Sequence, residues 1–242
     1  MNSKYFDISY SSIEQAVIKH SAQSWFLYAY KDFNKRYHVK KPLEWIKNNL
    51  AKESVVFENG CGAGINLLWL HEQGFKNLQG TDNDPAAINA AKEIVNSSGY
   101  SIAFEVDNGI NPQTLNSNSL DVIISLNWTY HAPEFDLQSF VKKHSQYLRD
   151  GGYMIFDCID SSYNNTPNNQ YKTQDWKKPI DQRRTTEYIS RYSIDEVKSI
   201  CAKSELEVLH VFSKNELIKK LANVILRKYT IVPRNIFIAH KK

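Results

Sequence analysis

At 242 residues, 42% of them hydrophobic and 23% charged, the chain is long enough for one α/β domain with extensions and a large buried core. A net charge of +4, from 30 basic and 26 acidic residues, gives a mixed surface and argues against a general nucleic-acid binder. Cys61, Cys158 and Cys201 lie far apart with no Cys-x-x-Cys spacing, and no apolar run approaches a membrane span. This argues against a disulfide framework, a zinc site or a membrane anchor, and for a reducing cytoplasm.

In chain order, residues 1–48 come first and are rich in aromatics, among them Tyr10, Trp25, Phe26, Tyr28 and Tyr30. They predict a helical cap ahead of a main domain over 49–242. Strands are predicted near 54–58, 77–82, 101–106, 120–126 and 152–159, with helices clearest at 85–97 and 134–148. Asp84 followed by Pro85 reads as an N-cap and first helical position, and Gly151 as the stop of the 134–148 helix. Residues 161–182 form a polar segment long enough to be an acceptor-side loop. Ser193-Ile194-Asp195-Glu196 is a capping box for a helix to about 203. A strand over 205–211, a helix opening at Ser213 and a last strand over 235–239 complete the pattern. Strands alternating with helices predict an α/β fold, a parallel sheet covered on both faces.

The most informative stretch is Val55-Val56-Phe57-Glu58-Asn59-Gly60-Cys61-Gly62-Ala63-Gly64, followed by Asp82 at the end of the next strand. Glycines at a strand-to-helix turn let the backbone turn sharply and present its N–H groups to a ligand. An acid at the end of the second strand stands where a ribose diol wants an acceptor. The dinucleotide pattern Gly-x-Gly-x-x-Gly is broken by Ile65, and the absence of Gly-x-x-x-x-Gly-Lys-[Ser/Thr] excludes a P-loop.

With Glu58 two residues ahead of Gly-x-Gly-x-Gly, the turn resembles the first motif of the class I S-adenosylmethionine-dependent methyltransferases. Gly80-Thr81-Asp82-Asn83-Asp84-Pro85, Phe104-Glu105-Val106-Asp107-Asn108, Asp121 to Pro133 and Leu148 to Phe156 resemble its later segments, in order. Asn59, in place of the usual aliphatic residue, and Cys61 inside the turn depart from the pattern without removing a glycine. The resemblance implies a Rossmann-like, doubly wound, seven-stranded, mostly parallel sheet with an antiparallel edge strand and helices on both faces. It implies S-adenosylmethionine as cofactor and no metal. Glu58 would take the cofactor's amino group or order the turn, Asp82 the ribose, and Asp107 the adenine amine. Gly60, Cys61, Gly62, Gly64, Asn83, Asn108 and Asn127 would line the same site.

The segment ending in His131 and Pro133 is loosely similar to the ubiquinone-type branch, with Tyr130 where glutamate is usual. His131 is the candidate base, with Tyr130 beside it. Tyr10, Tyr28, Trp128 and Arg183 are candidates for contacting the acceptor, and the N-terminal cap for a lid. Lys172, Lys177, Lys178, Arg183 and Arg184 outnumber Asp175 and Asp181, which is compatible with an anionic acceptor. The expected activity is methyl transfer to a small molecule, on oxygen. The alternative is an N-methyltransferase or an RNA methyltransferase; RNA or DNA methylation is disfavoured because Asn127-Trp128-Thr129-Tyr130 lacks the Pro-Pro of base-amine methylators. A cofactor-binding protein without catalysis is the reading from another class. Oligomeric state is not encoded in any of these features.

Overall fold

Period-two alternation along the strands assigns each side chain to one of two cores. Val56, Val122, Ile124, Ile155, Ile236 and Ile238 join one hydrophobic cluster, while Phe57, Ile123, Met154, Phe156 and Phe237 join the other. The computed structural model describes residues 6–132, 134–162, 179, 182, 190–213 and 233–242. The elements are α1 (Tyr10–Lys19), α2 (Trp25–Lys31), a short 3-10 turn (Phe33–Lys35), α3 (Tyr37–Asn49), β1 (Val55–Asn59), α4 (Ile65–Glu72), β2 (Asn77–Asp82) and α5 (Pro85–Ser98). They continue with β3 (Ala103–Val106), β4 (Leu120–Ser125), a 3-10 turn (Thr129–His131), α6 (Leu137–Ser145), β5 (Leu148–Asp160), β6 (Arg191–Tyr192), α7 (Ile194–Ala202), β7 (Leu206–Ser213) and β8 (Arg234–Lys241).

The sheet order is β3-β2-β1-β4-β5-β8-β7, and β6 pairs with the end of β5. All neighbours are parallel except β8, which runs antiparallel between β5 and β7. Helices α1 to α5 pack on one face, through residues such as Ile13, Phe33, Leu43, Leu67 and Ile88. Helices α6 and α7 cover the other through Phe140, Val141, Val197 and Cys201. The chain leaves β1 toward β2 on one side and returns to β4 on the other. The crevice beyond the carboxyl ends of β1 and β4 is therefore the switch point where ligands bind in such sheets.

Local signals account for the helix ends. Asp84 accepts from the Ala86 N–H, Pro85 opens α5, and Gly99 closes it with a φ of 70°. The Ser193–Glu196 capping box is formed in both directions, at 3.2 and 2.7 Å. Two expectations are corrected. Among the described residues eight strands are present, because two residues after the polar segment pair with Ile159 and Asp160 as β6. Gly151 is not a helix stop: α6 ends at Ser145, and Gly151, with a φ of 78°, lies inside β5. There the β4–β5 register shifts between Leu120 and Val122. A glycine pair that resembles a C-cap serves instead to bend the start of a strand. Most of 161–182, Arg183 and the helix expected from Ser213 lie outside the described residues.

Candidate cofactor and acceptor site

The turn after β1 is tied to the end of β2. The Gly60 and Cys61 N–H groups donate to the Thr81 carbonyl at 2.8 and 2.9 Å, and the Gly62 N–H donates to Asp82 Oδ2 at 2.8 Å. Gly62 has a φ of 53°, and a Cβ there would lie 2.4 Å from Phe26 Cε1. Helix α2 thus lays an aromatic ring directly on the cofactor-type turn. A Gly62→Ala protein should lose about 2 kcal/mol of stability, combining left-handed backbone strain with displacement of Phe26. Chemical denaturation measures this, and an unchanged midpoint would show that the turn relaxes without cost. Gly60 and Gly64 are equally crowded, by Trp128 and Phe104.

Asp82 accepts from Gly62 and, through Oδ1, from the Asp84 N–H at 2.9 Å. Burial raises its pKa against those hydrogen bonds. Its carboxylate lines a cleft of about 170 Å³ together with Gly60, Asn83, Asn108, Gly109 and Trp128. Asp107 is turned into its own loop instead. Its Oδ2 takes the Gln113 and Thr114 N–H groups and the Thr114 hydroxyl, and its Oδ1 takes the Asn108 N–H. Asp107 thus organises its own loop, while Asn108 lines the cleft.

Asn59, the departure from the aliphatic pattern, braces the same cleft. Its amide donates to the Gly109 carbonyl at 2.6 Å and lies 3.0 Å from His144 Nε2. Burial brings the His144 pKa down to about 4, so this ring is neutral. The Trp128 indole N–H donates to the Asn59 carbonyl at 2.9 Å, which fixes Trp128 against the cofactor-side cleft.

Glu58 is 1% exposed. Its Oε1 accepts from the Asn66 amide, whereas Oε2 has no hydrogen-bond partner among the described residues. Burial pushes its pKa up to about 8 despite Asn66 and Arg36, which act in the opposite direction. Cys61, its thiol pKa also raised by burial, borders a narrow space with Phe26, Arg36, Asn66 and Asn127.

Beyond β4 the chain takes an unusual course. Asn127 has a φ of 71°, and its N–H donates to Asp157 Oδ1 at 2.9 Å. Arg234 donates to the Asn127 side-chain oxygen, stands 3.5 Å from Asp157 Oδ2, and lies 4.8 Å from the Tyr130 ring centre. Tyr130 is buried; the His131 ring meets it at 4.7 Å and opens onto a cavity of about 450 Å³. Gln23, Trp25, Arg36, His38 and Asn127 complete that cavity. Tyr10 is bonded to Glu14 and packed on Tyr30, and Tyr28 is 66% exposed; neither lines this cavity or the cleft beside Asp82. Asp157, Arg234, Arg36 and His38 were not singled out by sequence. The one available signal was a carboxylate inside the apolar run Phe156-Asp157-Cys158-Ile159.

A family model for the methyltransferase domain matches residues 56–152. That stretch is a class I S-adenosylmethionine-dependent methyltransferase domain. Among curated relatives, the EEF1A lysine methyltransferase 2 of Mus musculus is 30% identical over 130 residues, 50% of this chain and 52% of that protein. The ribosomal protein L11 methyltransferase of Alkaliphilus oremlandii (strain OhILAs) is 27% identical over 121 residues, 49% of this chain and 38% of that one. The chain thus spans about half or less of the length of these relatives. A solved structure of the geranyl diphosphate C-methyltransferase from Streptomyces coelicolor A3(2), in complex with Mg2+, geranyl diphosphate and S-adenosyl-L-homocysteine, shares the fold. Its TM-score is 0.60 at 13% identity, over 84% of this chain and 79% of that one.

The cofactor of the methyltransferase domain is S-adenosylmethionine, and the residues present suit it. The partnerless Glu58 oxygen beside the turn matches an ammonium, and Asp82 keeps unused lone pairs for the hydroxyls of a ribose. Among the described residues no group of three or more His, Cys, Asp or Glu could hold a metal ion, and no helix is long and apolar enough to cross a membrane.

Proposed function

We propose that the protein transfers the methyl group of S-adenosylmethionine to a small-molecule acceptor, on an oxygen atom. The observation that carries this reading is the cavity of about 450 Å³ between the N-terminal segment and the post-β4 turn. Its volume falls in the range of small-molecule sites. It adjoins the narrow space beside the glycine turn through the shared residues Trp25, Arg36 and Asn127. In this reading residues 1–48 act as a cap over the domain at 49–242, with Phe26 resting on Gly62 as its hinge contact. Three buried free cysteines support a reducing, cytoplasmic setting.

The bound cofactor supplies an electrophilic methyl group on a sulfonium. What the chain adds is position, dryness and a base. Trp25, Phe26 and Leu126 narrow the space next to the turn and keep water from the methyl group. His131 takes the proton from an acceptor hydroxyl, and the Tyr130 ring, held under Arg234, orients it. A His131→Asn protein should lose turnover about a hundredfold or more while its affinity for S-adenosylhomocysteine stays within about twofold. Unchanged turnover would remove His131 from the reaction.

The names of the two curated relatives favour a second reading, a protein side chain as acceptor. Incubating the enzyme and methyl-labelled cofactor with a fractionated extract separates the two. Label in the small-molecule fraction supports the first reading, and label in protein selects the second. Tight cofactor binding with no labelled product in any fraction would make the protein a non-catalytic binder.

A further inference from the structure

We infer that the acceptor carries an anionic group, a carboxylate or a phosphate, received by the Arg36 guanidinium and the His38 ring in the cavity shared with His131. This rests on the small-molecule reading and names the class of molecule. The cavity's lining among the described residues is Gln23, Trp25, Arg36, His38, Asn127 and His131: one permanent cation, two imidazoles and no carboxylate. Arg36 sits at the end of the 3-10 turn ahead of α3, half-buried, and its guanidinium forms no hydrogen bond or ion pair with described residues.

The carboxyls that attract it do not neutralise it. Asp157 is already paired with Arg234 at 3.5 Å, and the Glu58 Oε1 is taken by the Asn66 amide. Arg234 itself repels Arg36, and burial disfavours the Arg36 charge further. A planar guanidinium held in this way has no ion-pair partner among the described residues, and its paired N–H donors match the two oxygens of a carboxylate or phosphate. Trp25, 45% exposed, adds a flat apolar face at the same mouth. An anion seated between Arg36 and His38 would leave the rest of the acceptor beside His131. The basic run around Lys177 and Arg183 lies outside the described residues.

The test uses the full chain saturated with S-adenosylhomocysteine and titrated separately with inorganic phosphate and with benzoate. The wild-type protein should bind at least one of them. Binding of phosphate alone identifies a phosphorylated acceptor, and binding of benzoate alone a carboxylated one. Arg36→Lys and His38→Asn should each weaken that binding about tenfold while S-adenosylhomocysteine affinity stays within about twofold, which also reports an intact fold. No binding of either probe overturns the inference. So does an Arg36→Lys protein that loses affinity for S-adenosylhomocysteine but not for the anion, because Arg36 would then serve the cofactor. Transfer to a neutral small molecule without anion binding sinks this inference alone. Transfer to protein with anion binding retained sinks the small-molecule reading and leaves the anion site standing.

Discussion

Replacing Arg234 by methionine should destabilise the protein by about 3 kcal/mol near pH 8 and by clearly less near pH 5. Asp157 is fully buried, its Oδ2 has no hydrogen-bond partner among the described residues, and the guanidinium 3.5 Å away is the cation beside it. Methionine keeps the hydrophobic volume but strands the carboxylate. Burial already raises the Asp157 pKa above its ordinary 3.8, against the pull of Arg234 and the Asn127 N–H. Without Arg234 it rises further, so the folded protein holds a proton that the unfolded chain has released. Stability then falls as pH climbs above about 4, which fixes the sign of the difference. Adding Asp157→Asn to Arg234→Met should restore most of the loss, because the asparagine oxygen still accepts from Asn127. Urea unfolding of the four proteins of this cycle at both pH values decides the matter. Equal losses at pH 5 and pH 8, or no rescue by the second substitution, would mean that Arg234 contributes by packing on Tyr130 and not by charge.

That network also shows where sequence reading stops. The β1 strand, the glycine turn, Asp82 and the α5 cap were legible because each is a local pattern whose geometry follows from a few adjacent residues. The mostly parallel sheet with helices on both faces followed from alternating elements and the family resemblance. Asp157 and Arg234 are single charges in unrelated strands, brought together only when β8 inserts antiparallel beside β5. Arg36 and His38 belong to the N-terminal segment, and nothing in their neighbours' spacing says that they face the ends of β1 and β4. Asn59 was visible as a departure from pattern, but its purpose required the Gly109 loop and His144, which are 50 and 85 residues away in sequence. Asp107 is the converse case. The motif placed it correctly at the end of β3, yet Thr114 and its loop claimed the carboxylate.

Glu58→Gln should weaken S-adenosylhomocysteine binding about tenfold to a hundredfold and remove a proton release that accompanies binding to the wild-type protein. In the ligand-free protein the Glu58 pKa stands at about 8, raised from 4.5 chiefly by burial, with Asp82 adding to the rise and Asn66 and Arg36 opposing it. Between those two values the folded state carries a proton that the unfolded chain does not. Glu58 therefore lowers stability as pH rises through that window, by at most about 1.4 kcal/mol per pH unit. An ammonium placed against the partnerless Oε2 reverses the balance, since it favours the ionised carboxylate and draws the pKa back down. Binding near pH 7 must then expel up to one proton, and affinity should rise with pH until Glu58 is ionised in the free protein as well. Titration calorimetry in buffers of contrasting ionisation enthalpy reads the proton directly. Thermal unfolding of the ligand-free proteins from pH 5 to pH 9 reads the slope, which glutamine should flatten. Wild-type binding without proton release, together with a slope that glutamine leaves unchanged, would place the cofactor's ammonium elsewhere and reduce Glu58 to a brace for Asn66.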